Sequence, residues 1–146
     1  MPSAYAPSML NPLAPPAANG VMDASPYGCL DVSFNYVYPI SLTGGQLLSN
    51  QSVSILTEPD FLWRGLLFTS LGSFSVRFQD GQQYYLSNDL IVSTNLLGTA
   101  GDPFPVFPEV FYPAGGKIVL DIQDTSGSTN TGQLIFIGAH RYKVSH

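Results

Sequence analysis

From Cys29 to its end the chain is a series of short stretches in which every second residue is apolar, each cut off by glycine, proline or an Asp-Gly pair. Side chains alternate across a strand with a period of two, whereas a helix repeats its apolar face every 3.6 residues. A chain with the first pattern throughout, and no long stretch with the second, folds as β-structure. The fold class expected is therefore all-β: an antiparallel β-sandwich, jelly-roll-like, of about eight strands with turns at short spacing.

The strands follow from the alternation. In residues 29–38, Leu30, Val32, Phe34 and Tyr36 alternate with Asp31, Ser33 and Asn35, and Pro39 is expected to end the strand. Leu47–Leu56 follows the Gly44-Gly45 turn, with Val53 and Ile55 alternating with Ser52 and Ser54. Phe61–Phe68 is apolar on both sides, which favours a strand covered on both faces, although periodicity alone also admits a short helix. Phe74, Val76 and Phe78 alternate with Ser75 and Arg77, and the Asp80-Gly81 that follows is a type I′ hairpin signal with Gln83–Leu86 as the return strand. Residues 93–106, with Gly98, Gly101, Pro103 and Pro105, are expected to form a long loop, and Pro108 and Pro113 to frame a short aromatic segment, Val110-Phe111-Tyr112. Lys117–Ile122 and Gln133–Tyr142 complete the set, on either side of a polar loop over 124–132.

Residues 1–27 differ from the domain, 28–146. Six prolines (Pro2, Pro7, Pro12, Pro15, Pro16 and Pro26) interrupt this segment. Proline fixes φ and lacks a donor, so neither a helix nor a central strand runs through them. Tyr5, Met9, Leu10, Leu13, Val21 and Met22 are spaced along it as apolar anchors. The expectation is an extended proline-rich N-terminal arm, ordered against a partner or a neighbouring copy. The bland alternative is a tail that is disordered or packs on its own domain.

Charge narrows the function classes. The chain has 146 residues, and charged residues make up only 10%, against about 25% in an ordinary soluble domain. Such a thin charged coat suits a surface covered by partners, where charge is also scarce, or a surface that is simply neutral, its polar share falling to Ser, Thr, Asn, Gln and Gly. The net charge is −5, and the five Lys and Arg do not cluster, so the basic stripe that nucleic acid or an anionic membrane would require is missing. No signal peptide is visible at Met1–Pro7, and no apolar run approaches the ~20 residues of a membrane span. Synthesis in a cytosol is expected.

The residues for chemistry do not assemble. Cys29 is the single cysteine, which excludes an intrachain disulfide, and with His140 and His146 it falls short of a zinc ligand set. His140 falls on the Leu134 and Phe136 face of the last strand, where a lone histidine is structural more often than a base. Asp121 and Asp124 suit turn capping better than calcium. Nothing brings Asp102 and Glu109 together as a glycosidase pair. Gly115-Gly116-Lys117 lacks the upstream glycine, the following Ser or Thr, and the helix of a phosphate loop. No catalytic residue, cofactor or metal is expected.

Phe111-Tyr112-Pro113-Ala114-Gly115-Gly116-Lys117-Ile118-Val119-Leu120-Asp121-Ile122, a Ser/Thr/Gly loop, and then Leu134-Ile135-Phe136-Ile137-Gly138-Ala139-His140-Arg141-Tyr142 form the last third of the chain. This part resembles the end of small β-sandwich virion proteins of tailed bacteriophages, among them capsid decoration or cement proteins. The resemblance implies a symmetric homo-oligomer, dimer or trimer, on the capsid surface between subunits of the major capsid protein. It brings no catalytic residues. The interface residues expected are Tyr5, Leu10, Leu13, Val21 and Met22 in the arm, with Tyr85 and Tyr112 in the domain. The alternative is a receptor- or carbohydrate-binding head-fibre or tail module, with Tyr85, Tyr112 and Trp63 exposed.

Overall fold

The computed structural model describes residues 28–96 and 102–144, and residues 21–25 as backbone. Among the described residues nine strands form: β1 Val21–Ser25, β2 Cys29–Leu42, β3 Leu47–Ser54, β4 Asp60–Ser70, β5 Phe74–Phe78, β6 Ile91–Val92, β7 Phe104–Tyr112, β8 Lys117–Asp124 and β9 Asn130–Lys143. A 3-10 turn, Ser93–Asn95, follows β6. One sheet has the order β1-β2-β9-β4-β7 and the other β3-β8-β5-β6, and every described pairing is antiparallel.

The order has a simple logic. β2 pairs with β9, β3 with β8, β4 with β7 and β5 with β6, so the chain is one long hairpin rolled into two sheets. That is jelly-roll topology, in which neighbouring strands of the hairpin change sheet together. The tip of the hairpin is the β5–β6 connection, residues 79–90.

The alternation predicted from sequence is what faces the sheets toward each other. Tyr36, Tyr38, Ile40 and Leu42 of β2, Ile118, Leu120 and Ile122 of β8, and Leu134 and Phe136 of β9 all point into one core. Trp63 lies at its centre, edge-on to Phe78 (ring centroids 5.0 Å apart) and Phe136 (5.2 Å). Its indole N–H donates to the Gly65 carbonyl at 2.6 Å, which satisfies the one polar atom such a ring would otherwise bury bare. Gly138 has no room for a side chain: a Cβ there would meet the Leu62 carbonyl of β4 and the Phe61 ring.

The structure corrects several expected boundaries. β2 runs through Pro39 to Leu42, with Pro39 opposite Gln133. Proline is tolerated because β1 pairs only with residues 29–32, so from Ser33 onward the other side of β2 has no strand beside it among the described residues. The end of the arm, Val21–Ser25, adds this edge strand rather than leaving the domain. Residues 104–112 form β7 despite Pro105 and Pro108, again because the strand lies at a sheet edge. The hairpin at 80–81 is also different. Gly81 does not adopt positive φ; Gln83 does, at 70°. The turn is closed by Gln83 N–H to the Asp80 carbonyl, and the return is one bridge, Gln79 to Tyr85. Gly81 is needed for another reason: a Cβ there would collide with the Phe111 carbonyl of β7.

Candidate functional site

β4 and β7 lose register between Trp63 and Gly65. Trp63 pairs with Val110 and Gly65 with Pro105, so Val106, Phe107, Pro108 and Glu109 together oppose the single residue Arg64. An excess on one strand bends it out of the sheet. Here it lifts Val106–Glu109 toward the tip of the hairpin, and a cleft of about 620 Å³ opens between them, lined by Asp80, Gly81, Gln82 and Leu86 on one side. A second, more apolar cleft of about 240 Å³ continues from it toward the core, over Trp63, Leu66, Phe78 and Ile91, with Phe104 and Pro105 along its wall. Leu86, Val106 and Phe107 line both, so the two form one groove along the β7 edge.

The rim is apolar where a monomer's surface is usually polar. Phe107 is 93% exposed, and Leu86, Phe104, Phe111 and Tyr84 are exposed around it. The two carboxylates at the mouth are already engaged. Asp80 Oδ1 accepts the N–H groups of Gln82 (2.9 Å) and Tyr84 (3.0 Å). Glu109 accepts from Arg64 Nε at 2.7 Å. Arg64 in turn reaches Asp31, which Arg141 holds through two hydrogen bonds of 2.8 and 2.9 Å, so an ion-pair chain crosses the outer face from β7 to β2. The Arg141 guanidinium, against some opposing desolvation, holds the Asp31 carboxyl below its ordinary range.

Other polar clusters are internally satisfied. His140 is fully buried, and its Nε2 lies 2.6 Å from the Tyr36 hydroxyl, which also accepts the Leu56 N–H at 3.0 Å. The hydroxyl and Nε2 share one hydrogen bond, whose direction is set by the imidazole tautomer. Burial pushes its pKa down, with the Phe34 ring stacked on it at 3.9 Å. On the outer face of the second sheet, Asp121 accepts from Asn50 N–H, Arg77 and Tyr85. Burial raises its pKa, but these three donors outweigh it and hold it low. Among the described residues, no group of three or more His, Cys, Asp or Glu is placed to hold a metal ion.

The interface residues expected from sequence separate into three sets. Tyr5, Leu10 and Leu13 lie outside the described residues, and of Val21 and Met22 only the backbone is described, paired with Val32 and Asp31. Tyr85 is partly exposed, but its hydroxyl donates to Asp121 and its ring carries the Arg77 guanidinium at 3.8 Å. Tyr112 is corrected: it is fully buried, its hydroxyl donating to the Gln79 carbonyl at 2.6 Å, and burial raises its pKa. Trp63, expected at the surface in the sugar-binding alternative, is core. Phe104, Phe107 and Leu86 were not anticipated. The signal available was Phe-Pro-Val-Phe-Pro at 104–108, two phenylalanines each followed by proline, in a stretch otherwise taken as loop.

Compared with protein-family models, with curated proteins and with solved structures, the chain finds no match in any of the three.

Proposed function

We propose that this chain is a non-catalytic structural protein of a virion, a decoration protein that binds the outer surface of a phage capsid through the β7 groove and the N-terminal arm. The observation that carries the binding half of this reading is the groove: an apolar rim with Phe107 almost wholly in solvent, on a domain whose other polar clusters are closed upon themselves. A bare aromatic rim of this kind marks a protein-interaction surface. The scarcity of charge and the resemblance of residues 111–142 to small virion sandwiches support the capsid half. Jelly rolls are a recurrent architecture of capsid and lectin domains, which agrees with the reading at the level of fold alone. The partner on this reading is the major capsid protein, and many weak contacts per particle sum to tight attachment.

Copy number tests it. Electron microscopy or gel densitometry of purified virions should count hundreds of copies per particle. A dozen or fewer would move the protein to a vertex or the tail and overturn the decoration role. The receptor- or carbohydrate-binding reading keeps one observation in its favour, the exposed Phe107 and Phe111 in the lining of a cleft that also holds Asp80 and Gln82. A glycan array without hits removes it.

A further inference from the structure

Two features of the β7 groove decide what kind of partner segment fits it. The first is the inner cleft. Every described residue that lines it is apolar, from the buried Trp63, Leu66 and Phe78 to the exposed Phe104 and Phe107. The one polar atom of the Trp63 ring, its indole N–H, is already bonded to the Gly65 carbonyl. A polar group entering here would lose its water and find no side chain to replace it. The cleft holds about 240 Å³. A dry cavity of about 150 Å³ lined by Leu, Ile and Phe takes up benzene, so this one has room for one large apolar side chain and little more.

The second feature is the charge at the mouth. Asp80 and Glu109 line the outer cleft, and no Lys, Arg or His among the described residues does. Glu109 is neutralised by Arg64. Asp80 is not. Its Oδ1 holds the turn through the N–H groups of Gln82 and Tyr84, but the ion pairs among the described residues engage Asp31, Glu109 and Asp121, never Asp80. Hydrogen bonds from neutral amides leave a carboxylate its full charge. That charge is felt at Tyr112, where burial first and Asp80 second keep the phenol protonated. The mouth therefore carries one uncompensated negative charge above an apolar socket.

The backbone rules out a third way of binding. Pro105 and Pro108 have no N–H, so a strand laid along β7 would find donors missing at both positions. Recognition rests on side chains rather than on extension of the sheet.

We infer that the groove takes from its partner a segment with one large apolar side chain, aromatic or leucine-like, seated in the inner cleft, and a Lys or Arg beside it that meets Asp80. A buried apolar anchor carries most of the affinity at such surfaces, and charge at the rim selects the partner. The inference rests on the proposed reading of the groove as the surface that meets the major capsid protein, and it specifies the chemistry of that protein's contact.

Trp63 is the single tryptophan and lines the inner cleft, so its fluorescence reports occupancy directly. The probes are tripeptides capped at both ends, Lys-Phe-Lys, Gln-Phe-Gln and Glu-Phe-Glu, titrated into the full chain at low salt. Lys-Phe-Lys should bind most tightly and Glu-Phe-Glu least, about threefold or more apart, and added salt should narrow the gap. Lys-Ala-Lys, which lacks the anchor, should give no saturable change. Asp80→Asn keeps the oxygen that holds the turn and should remove most of the preference for Lys-Phe-Lys, with circular dichroism checking the fold. No saturable change with any Phe peptide, equal affinities for all three, or a preference that survives Asp80→Asn would overturn the inference. If one of these is found while Phe107→Ser still lowers occupancy on purified capsids, the groove reading stands without it. If the peptides rank as expected while capsid occupancy is indifferent to Phe107→Ser and Asp80→Asn, the chemistry assigned to the groove stands and the capsid reading fails.

Discussion

The two extremes of the sandwich are built in opposite ways. At one end the β2–β3, β4–β5 and β8–β9 connections are sewn together by two side chains. Asp124 accepts from Gly45 N–H, Ser126 N–H, Ser126 Oγ, Gly127 N–H and Asn130 Nδ2. Asn130, fully buried, accepts from Gly72 N–H and donates to the carbonyls of Gly72 and Ser73. At the β7 edge near the hairpin tip, the strand leaves its ladder over Val106–Glu109 and presents Phe107 to solvent, with Phe104 and Leu86 exposed beside it. A closed network of buried hydrogen bonds holds three loops in one arrangement, because every member left alone would cost its desolvation. An apolar rim contributes nothing to the monomer and gains only when covered. The first region is closed for the fold; the second is the one proposed to meet a partner.

The largest effect that separates them should come from the sealed end. Asn130→Ala strands the Gly72 N–H and the Gly72 and Ser73 carbonyls, and is expected to cost about 3 kcal/mol. For a domain of this size that lowers Tm by about 10 °C in a calorimetric scan. Groove binding measured below the transition should be unchanged; if binding falls in step with stability, the two regions are not separate.

Acid should also act away from the groove. His140 is buried neutral with its pKa depressed, so the unfolded chain takes up a proton that the folded one refuses. Stability then falls as pH drops below about 6.5, the unfolded value for histidine. Urea midpoints at pH 7.5 and 5.5 measure it, and His140→Gln should flatten the difference. Asp124 acts in a lower window. Hydrogen bonds from the Ser126 hydroxyl and the Gly45 N–H, with the rest of its donors, hold its carboxyl far below the usual range. Its contribution is complete above the unfolded value of about 3.9 and is lost as pH falls through the folded one. Asp124→Asn should remove that part of the acid transition.

The smallest effect is expected from Arg64→Ala. It cuts the ion-pair chain between Glu109 and Asp31, yet Arg64 is 42% exposed at its side chain and Asp31 keeps Arg141. A loss of about 1 kcal/mol or less, shrinking with added salt, should appear in denaturant unfolding.

How far this contrast is legible in sequence depends on which residues interact locally. The inward faces of β5 and β8 follow from alternation alone, and Phe74, Val76, Ile118, Leu120 and Ile122 are buried where the pattern puts them; in β2 only Tyr36 of the four alternating residues is buried, Phe34 is exposed, and Asp31 from the other face is buried. Asp124 as a turn cap was also readable, since Asx residues bond to backbone a few positions on. β7 was not, because Pro105 and Pro108 signal a break unless the strand is known to be an edge, and edge position depends on pairings tens of residues away. Gly81 has the same origin: its lack of a side chain answers Phe111, thirty residues later. The groove was hidden with them, since the exposure of Phe107 comes from the register slip opposite Arg64. Tyr112 was placed at the surface for want of the same information.

The most direct test of the division is Phe107→Ser, with Tm and occupancy on purified capsids measured on the same protein. Tm should shift by no more than about 2 °C, the equivalent of the ~0.5 kcal/mol scatter of surface substitutions, while occupancy falls about tenfold or more. Undiminished occupancy at unchanged Tm would contradict the assignment of this edge as the binding surface.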